Sequence, residues 1–147
     1  MKKVHEYIAT IFGLGYFPVA SGTVGSFAGL IVCLLLHRYI FLYVGVFLVL
    51  FAAGVISAGK KEAETNQKDP ACVIIDEFAC IFLVFLFIPL TPLYIIAGFI
   101  IYRVMDIVKL PPMRTIEKLK GGWGIMLDDA VAAIYSNIIL HIISSFI

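Results

Sequence analysis

Two adjacent carboxylates follow a glycine-rich turn near the end of this 147-residue chain. Three of the residues 121–124 are glycines, Asp128 and Asp129 come next, and residues 130–147 carry no formal charge. Glycine lets a backbone approach a ligand closely, and ionisable groups at the edge of a long apolar segment usually have partners or a function. Because carboxylate oxygens are preferred ligands of Mg²⁺, the stretch is a candidate metal site. The alternative is that the acids only complement the dipole at the start of a helix.

Acidic residues recur at two other places in the chain. Asp76 and Glu77 stand at the start of a second apolar stretch, and Asp106 stands between Arg103 and Lys109 on a predicted helix. Because Arg103, Asp106 and Lys109 are spaced three residues apart, their side chains are predicted to lie on one helix face. They could form a self-contained stripe of salt bridges. Equally, Asp106 could bind a metal while the two cations bind phosphate.

A loop of small residues, 19–26, contains three hydroxyl groups and two glycines. Its Ser21, Gly22 and Thr23 could offer hydroxyls and backbone N–H groups to a phosphate. The segment lacks the Gly-Lys-Ser/Thr that completes a Walker motif. An equally open interpretation is a helix N-cap whose glycines allow close helix packing.

Together these groups are suited to metal-assisted phosphoryl chemistry. Carboxylates would hold a metal that polarises phosphoryl oxygens, and Arg or Lys would neutralise the developing charge. Two other phosphatase chemistries lack their residues, since no arginine lies six positions after Cys33, Cys72 or Cys80 and no Asp-x-Asp-x-Thr sequence occurs. Paired acids in apolar segments also mark ion pathways. The rival interpretations are therefore a transporter or channel subunit and a non-catalytic membrane assembly subunit.

The composition is that of an integral membrane protein. Hydrophobic residues make up 62% of the chain and the mean hydropathy is +1.05, against roughly 45–50% apolar residues in soluble domains. The formal net charge is +1 and no run of Lys and Arg with interleaved aromatic residues occurs, which excludes nucleic-acid binding. The length fits one domain, residues 1–147. The three cysteines match neither a metal-binding nor a disulfide spacing and are predicted to be packing residues.

The order of apolar and polar segments predicts a bundle of helices. Apolar segments suited to helices lie at residues 2–12, 27–36, 39–58, 78–88, 93–105 and from 130 onwards. The second and third form a hairpin that turns at His37-Arg38, and the fourth and fifth form another that turns at two prolines. Lysines in the polar connections 59–72 and 109–124 indicate the cytoplasmic side. We therefore predict an all-α, compact helical membrane protein with helical hairpins, a C-terminal membrane helix and a polar site at its cytoplasmic face.

These motifs resemble the phosphatidylglycerophosphatase A family. The matching segments are 17–26, 69–70 with 73–78, 102–109 and 121–129, in the order found in the family. The resemblance implies a multi-pass, Mg²⁺-dependent phosphatase of the bacterial inner membrane, with its site facing the cytoplasm. It would remove the terminal phosphate from phosphatidylglycerophosphate to give phosphatidylglycerol. The chain departs from the family at Cys80, where glycine is common, and at Leu110, where proline commonly follows the lysine.

The resemblance also implies roles for individual residues. Metal-ligand or general-base candidates are Asp76, Glu77, Asp106, Asp128 and Asp129. Phosphate-contact candidates are Ser21, Gly22, Thr23, Arg103 and Lys109. We predict that Glu77, Asp106 and Asp129 bind the metal directly, and that Asp76 or Asp128 orients a water or one of the ligands. The number of metals, the oligomeric state and the preferred lipid are left open by the sequence.

Overall fold

The described residues, 2–147 of the computed structural model, form helices and no strand. Their bounds are α1 Lys2–Ala9, α2 Ser21–Leu36, α3 Ile40–Thr65, α4 Ile75–Val84, α5 Pro92–Val108, α6 Met113–Ile116 and α7 Gly122–Phe146. A short 3₁₀ turn, Leu14–Tyr16, connects α1 with α2. The all-α prediction is confirmed, as is the tight turn after Leu36. Helices α2, α3, α4, α5 and α7 alternate in direction, so the start of α4, the end of α5 and the start of α7 meet at one end of the bundle.

Helix α4 is the centre of the bundle and packs against α2, α3, α5 and α7. Seven of its ten residues are buried, and so are Phe85 and Ile88 just beyond it. At about 1.5 Å per residue, α4 is roughly 15 Å long and cannot cross a bilayer. Its first turn carries Asp76 and Glu77, so the central helix presents its acids at one end of the bundle.

The other end of α4 stops inside the apolar interior. Carbonyl groups at a helix end have no partner within the helix and are costly to bury unless another group donates to them. The hydroxyl of Tyr43 donates to the carbonyl of Phe82 at 2.6 Å. The side-chain amide of Asn137 donates to the carbonyls of Val84 and Leu86 at 2.9 and 3.0 Å. Side chains from α3 and α7 thus allow α4 to end within the bundle.

Two helices, α3 and α7, are long and apolar enough to cross a membrane, with mean hydropathies of 2.6 and 1.4 in their most apolar windows. Helices α5 and α7 also expose apolar side chains at helical spacing. On α5 they are Leu93, Ile96, Ile100, Val104 and Ile107, and on α7 they are Ile134, Ile138 and Ile142. Continuous apolar stripes of this kind are unusual on proteins surrounded by water. They are the faces expected of a membrane protein, whose outer surface contacts lipid.

Several element bounds differ from the sequence-based prediction: α1 ends at Ala9 rather than at residue 12, and α4 spans Ile75–Val84 rather than 78–88. Residues 21–26 are the first turns of α2 rather than a loop, because the chain turns before them at Ala20, where φ is 50°. Helix α3 continues to Thr65, so much of the predicted polar connection is helical, and it stops at Asn66 in a left-handed conformation. Helix α7 already begins at Gly122, and its first turn carries no acid. The dipole interpretation of the C-terminal acids is therefore wrong, since that effect fades within one turn.

Gly122 is the point at which α7 crosses α3 most closely. A Cβ atom at Gly122 would lie 1.9 Å from the backbone oxygen of Val55. Because a backbone atom within a long helix cannot move aside, we expect Gly122→Ala to lower the free energy of unfolding by about 1–3 kcal/mol. The thermal midpoint of the purified protein in detergent measures this. Gly45→Ala is the matched control, since a Cβ there meets nothing within 4 Å. Equal midpoints for the two variants would contradict the close contact.

Candidate active site

The five predicted acids converge at one end of the bundle. Carboxylate oxygens of Asp76, Glu77 and Asp129 lie within 4.8 Å of one another, and so do those of Asp106, Asp128 and Asp129. We call these five residues the acidic cluster. Helices α4, α5 and α7 each contribute to it, and Asp129 belongs to both groups. Glu77 and Asp106, which are predicted to bind the metal directly, fall in different groups. Asp76 and Asp128 lie within the same 4.8 Å of Asp129.

The acidic cluster is largely withdrawn from solvent. Asp76, Asp128 and Asp129 are buried, and Glu77 and Asp106 expose only 14% and 13% of their side chains. Within the part of the chain that the structure describes, one buried oxygen each of Asp76, Glu77 and Asp128 has no hydrogen-bond partner. Buried charges are costly unless they are paired or coordinate a metal. A hard divalent cation therefore fits these oxygens, because such ions prefer carboxylate ligands.

Arg103 joins the two groups of the acidic cluster. Its guanidinium donates to Asp106 at 2.8 Å and lies 3.7 Å from Glu77. It also donates to the hydroxyl of Ser26 on α2 at 3.5 Å. The ion pair predicted between Arg103 and Asp106 therefore forms, and the same guanidinium stands beside the second group of acids.

Lys109 pairs with α7 rather than with its own helix. It is the residue directly after α5, with φ 52°, and its ammonium lies 2.7 Å from Asp128 on α7 and 2.6 Å from Glu117, which follows α6. The predicted salt-bridge stripe thus stops at Asp106. Partial burial alone would lower the pKa of Lys109, but its hydrogen bonds to Asp128 and Glu117 outweigh that effect and hold the pKa above its ordinary value. The ammonium therefore stays charged beside Asp128.

Tyr102 is a site residue that sequence reasoning missed. Its buried hydroxyl donates to Asp129 at 2.9 Å. The available signal was its position four residues before Asp106, on the same inward face of α5 as the buried Tyr94 and Gly98. A tyrosine hydroxyl on that buried face needs a hydrogen-bond partner inside the protein. Asp129 is accordingly held in one orientation by a neighbouring helix.

A cleft of about 640 Å³ opens beside the acidic cluster at the start of α2. Ser21, Gly22, Glu77 and Arg103 are among the residues that line it. Ser21 donates its hydroxyl to the carbonyl of Ala71 at 2.7 Å. A Cβ at Gly22 would lie 2.1 Å from a carboxylate oxygen of Glu77 and 3.1 Å from the guanidinium of Arg103. The start of α2 thus contacts the acidic cluster directly, whereas Thr23 is half-buried and outside the cleft lining.

A second cleft, of about 330 Å³, opens on the α7 side of the acidic cluster. Its lining residues are Lys68, Asp69, Glu117, Lys118, Gly124, Ile125 and Asp128. Lys109 lines neither cleft. The buried acids are therefore reached from two polar openings, one beside Arg103 and one beside Asp128.

The fold and this site are those of a helical membrane protein with a candidate metal-dependent active site. The chain belongs to the phosphatidylglycerophosphatase A family, whose pattern matches residues 7–144. The family resemblance drawn from the sequence motifs is thereby confirmed, and the chain is a lipid phosphatase.

Curated relatives are similar over most of their length. A phosphatidylglycerophosphatase A of Haemophilus influenzae is 38% identical, covering 97% of this chain and 90% of the relative. The protein of that name from Escherichia coli is 31% identical, covering 97% and 85%. A protein of Bacteroides thetaiotaomicron, provisionally named a phosphatidylinositol-3-phosphatase, is 34% identical, covering 92% and 90%. No solved structure matches the chain at a significant level.

Proposed function

We propose that this chain is a Mg²⁺-dependent phosphatase of the bacterial inner membrane that hydrolyses phosphatidylglycerophosphate to phosphatidylglycerol and phosphate in phospholipid biosynthesis. Two of its relatives carry the name of this activity. The observation that carries the proposal is the acidic cluster itself, two overlapping groups of buried carboxylates at the edge of a polar cleft. The transporter alternative is not favoured, because the family that matches is described as phosphatidylglycerophosphatase A.

The charge of the acidic cluster supports the requirement for Mg²⁺. Among the described residues, the five carboxylates form salt bridges with two cations, Arg103 and Lys109, and Lys109 is shared with Glu117. Divalent cations would balance the excess negative charge. The group of Asp76, Glu77 and Asp129 would hold one cation, and the group of Asp106, Asp128 and Asp129 would hold a second. When bound, Mg²⁺ would polarise the phosphoryl oxygens and lower the pKa of a bound water.

The chain's own residues supply binding and orientation. Arg103 faces the cleft and would neutralise charge on the phosphoryl group. Ser21 and Gly22 would contribute backbone N–H groups at the start of α2, where a helix favours anions. Lys109 holds Asp128, and Tyr102 holds Asp129. In this arrangement Asp76 or Asp128 is the candidate base that orients the attacking water.

The surface of the bundle suggests how a lipid reaches the site. Lysines gather at the end that holds the acidic cluster, on α3, in the connection 66–74 and in the connection before α7. Positive residues favour the cytoplasmic side, so we place the site at the cytoplasmic face of a multi-pass protein. The apolar outer stripes of α5 and α7 would keep the acyl chains in the bilayer while the phosphorylated headgroup enters a cleft.

Phosphate release by the purified protein tests this function. The substrates are phosphatidylglycerophosphate, phosphatidate and phosphatidylinositol 3-phosphate, each tested with Mg²⁺ and with EDTA. Phosphatidylinositol 3-phosphate is included because one relative is named as a phosphatase of this lipid. We expect Mg²⁺-dependent release that favours the first lipid and is abolished by Asp106→Asn. Glu64→Gln is the control, since Glu64 is an exposed acid on α3. Release that EDTA does not reduce, or no release from any of the three lipids, would contradict the proposal.

A further inference from the structure

Asp69 occupies a position that the sequence motifs did not assign to the site. Among the described residues it alone lines both clefts, the one beside Arg103 and the one beside Asp128. It is exposed, whereas the acids of the acidic cluster are buried or nearly so. A group bound in either cleft would therefore meet the carboxylate of Asp69 on its solvent side and the acidic cluster on its inner side.

The backbone holds Asp69 in a fixed and unusual conformation. Its φ is 48°, a left-handed value that few residues other than glycine adopt. The residue before a proline is also biased towards extended backbone, and Pro70 follows. The next residues are anchored, because Val73 donates its N–H to the carbonyl of Pro70 at 2.8 Å and Ser21 donates to Ala71. These hydrogen bonds tie the residues that follow Asp69 to α2 and to the start of α4, next to both clefts.

The carboxyl of Asp69 is not neutralised by the lysines near it. Lys109 is engaged by Asp128 and Glu117, and Lys68 donates to the carbonyl of Leu119 at 2.5 Å and lies 3.7 Å from Glu62. Partial desolvation is the largest cause that raises the pKa of Asp69; Lys109 lowers it and Asp106, Asp128 and Glu62 raise it, so that the pKa is about 6. A raised pKa favours the protonated carboxyl, the form that a general acid needs.

We propose that Asp69 is a catalytic residue that protonates the leaving alcohol oxygen of the lipid phosphate ester. The inference rests on the proposed function, hydrolysis of an alkyl phosphomonoester. As the oxygen of water bonds to phosphorus, the bond from phosphorus to the lipid oxygen breaks and its electron pair goes to that oxygen. The lipid oxygen takes the proton of Asp69, and the proton of water goes to the base, Asp76 or Asp128. Asp69 then regains a proton from solvent and the base releases the proton that it took, so that ester and water become alcohol and phosphate and the enzyme is restored.

The test compares two esters that differ in one atom. One is phosphatidylglycerophosphate, and the other has sulfur in place of the oxygen that links phosphorus to the glycerol. A thiolate leaves without a proton, so its release does not need the acid. We expect Asp69→Asn to lower kcat for the oxygen ester by about 10²–10⁴-fold and to leave kcat for the sulfur ester within about tenfold of wild type. Asparagine tolerates left-handed backbone well, so the variant keeps the fold.

The outcomes separate this inference from the proposed function. If the wild type releases phosphate from neither ester, the proposed function fails and the role of Asp69 fails with it. If the wild type hydrolyses both esters and Asp69→Asn slows both equally, or slows neither, only the role of Asp69 is overturned. Gln67→Ala, an exposed change in the same connection, is the control and should leave both rates unchanged.

Discussion

Replacing Asp129 with asparagine is expected to reduce phosphate release by roughly 10³-fold, the upper range for loss of one electrostatic contact at a reacting group. Asp129 belongs to both groups of the acidic cluster, so its loss affects every cation or water that they hold. The fold should survive, because the change removes one charge from a crowded set of like charges. Phosphate release and the thermal midpoint, measured on the same preparation, check both expectations.

Two further measurements identify the cause of that loss. Mg²⁺ should raise the thermal midpoint of the wild type, since a ligand that binds only the folded state stabilises it, and should raise that of Asp129→Asn much less. Tyr102→Phe removes only the hydroxyl that orients Asp129 and should cost about 10–100-fold. If Asp129→Asn kept a tenth or more of the wild-type activity, the shared position of this carboxylate would have no catalytic meaning.

Gly22→Ala is expected to lower activity by about 10²-fold, the cost of a misplacement of about 1 Å at a catalytic group. The added methyl would come 2.1 Å from a carboxylate oxygen of Glu77, which must move away, and would crowd the guanidinium of Arg103. Both are side-chain ends that can shift at little cost to the fold. The thermal midpoint should therefore change little while phosphate release falls.

Three glycine variants together distinguish an effect on activity from an effect on stability. At Gly122 the obstructing atom belongs to the backbone of α3, so stability is lost, whereas at Gly22 it belongs to an active-site side chain, so activity is lost. Gly45→Ala, which meets neither, should leave activity unchanged and should not lower the thermal midpoint, since alanine is favoured over glycine within a helix. Wild-type turnover by Gly22→Ala would show that the close approach of α2 to Glu77 has no part in the reaction.

The sequence was sufficient to predict the class of fold and the identities of the acids. Hydropathy and the prolines after Ile88 indicated where helices lie. The acids could be identified as candidates because charged residues are rare in apolar segments. The bounds of α2 and α3 could not be read in the same way. Small residues such as Ser21 and Gly22 resemble a loop until their packing is known, and Lys60 to Glu64 are polar enough for a connection yet continue α3.

The pairing of side chains within the site could not be predicted from spacing along the chain. Lys109 shares a predicted helix face with Asp106, but α5 ends at Val108 and the lysine turns towards α7. Asp69 lies in a connection whose path depends on Pro70 and on contacts with α2. Such contacts join residues that are distant in sequence, and only the packing of α4 against its neighbours determines them.

The buried end of α4 depends on α7, the last helix of the bundle to be synthesised. A ten-residue helix with two acids and exposed carbonyls at its end cannot enter the bilayer alone. Asn137, which satisfies those carbonyls, and Asp128 and Asp129, which complete the acidic cluster, all belong to α7. Because α7 leaves the ribosome after the other helices that contribute to the acidic cluster, the cluster is incomplete in the nascent chain. On the proposed function, we therefore expect activity only after α7 has docked against α4.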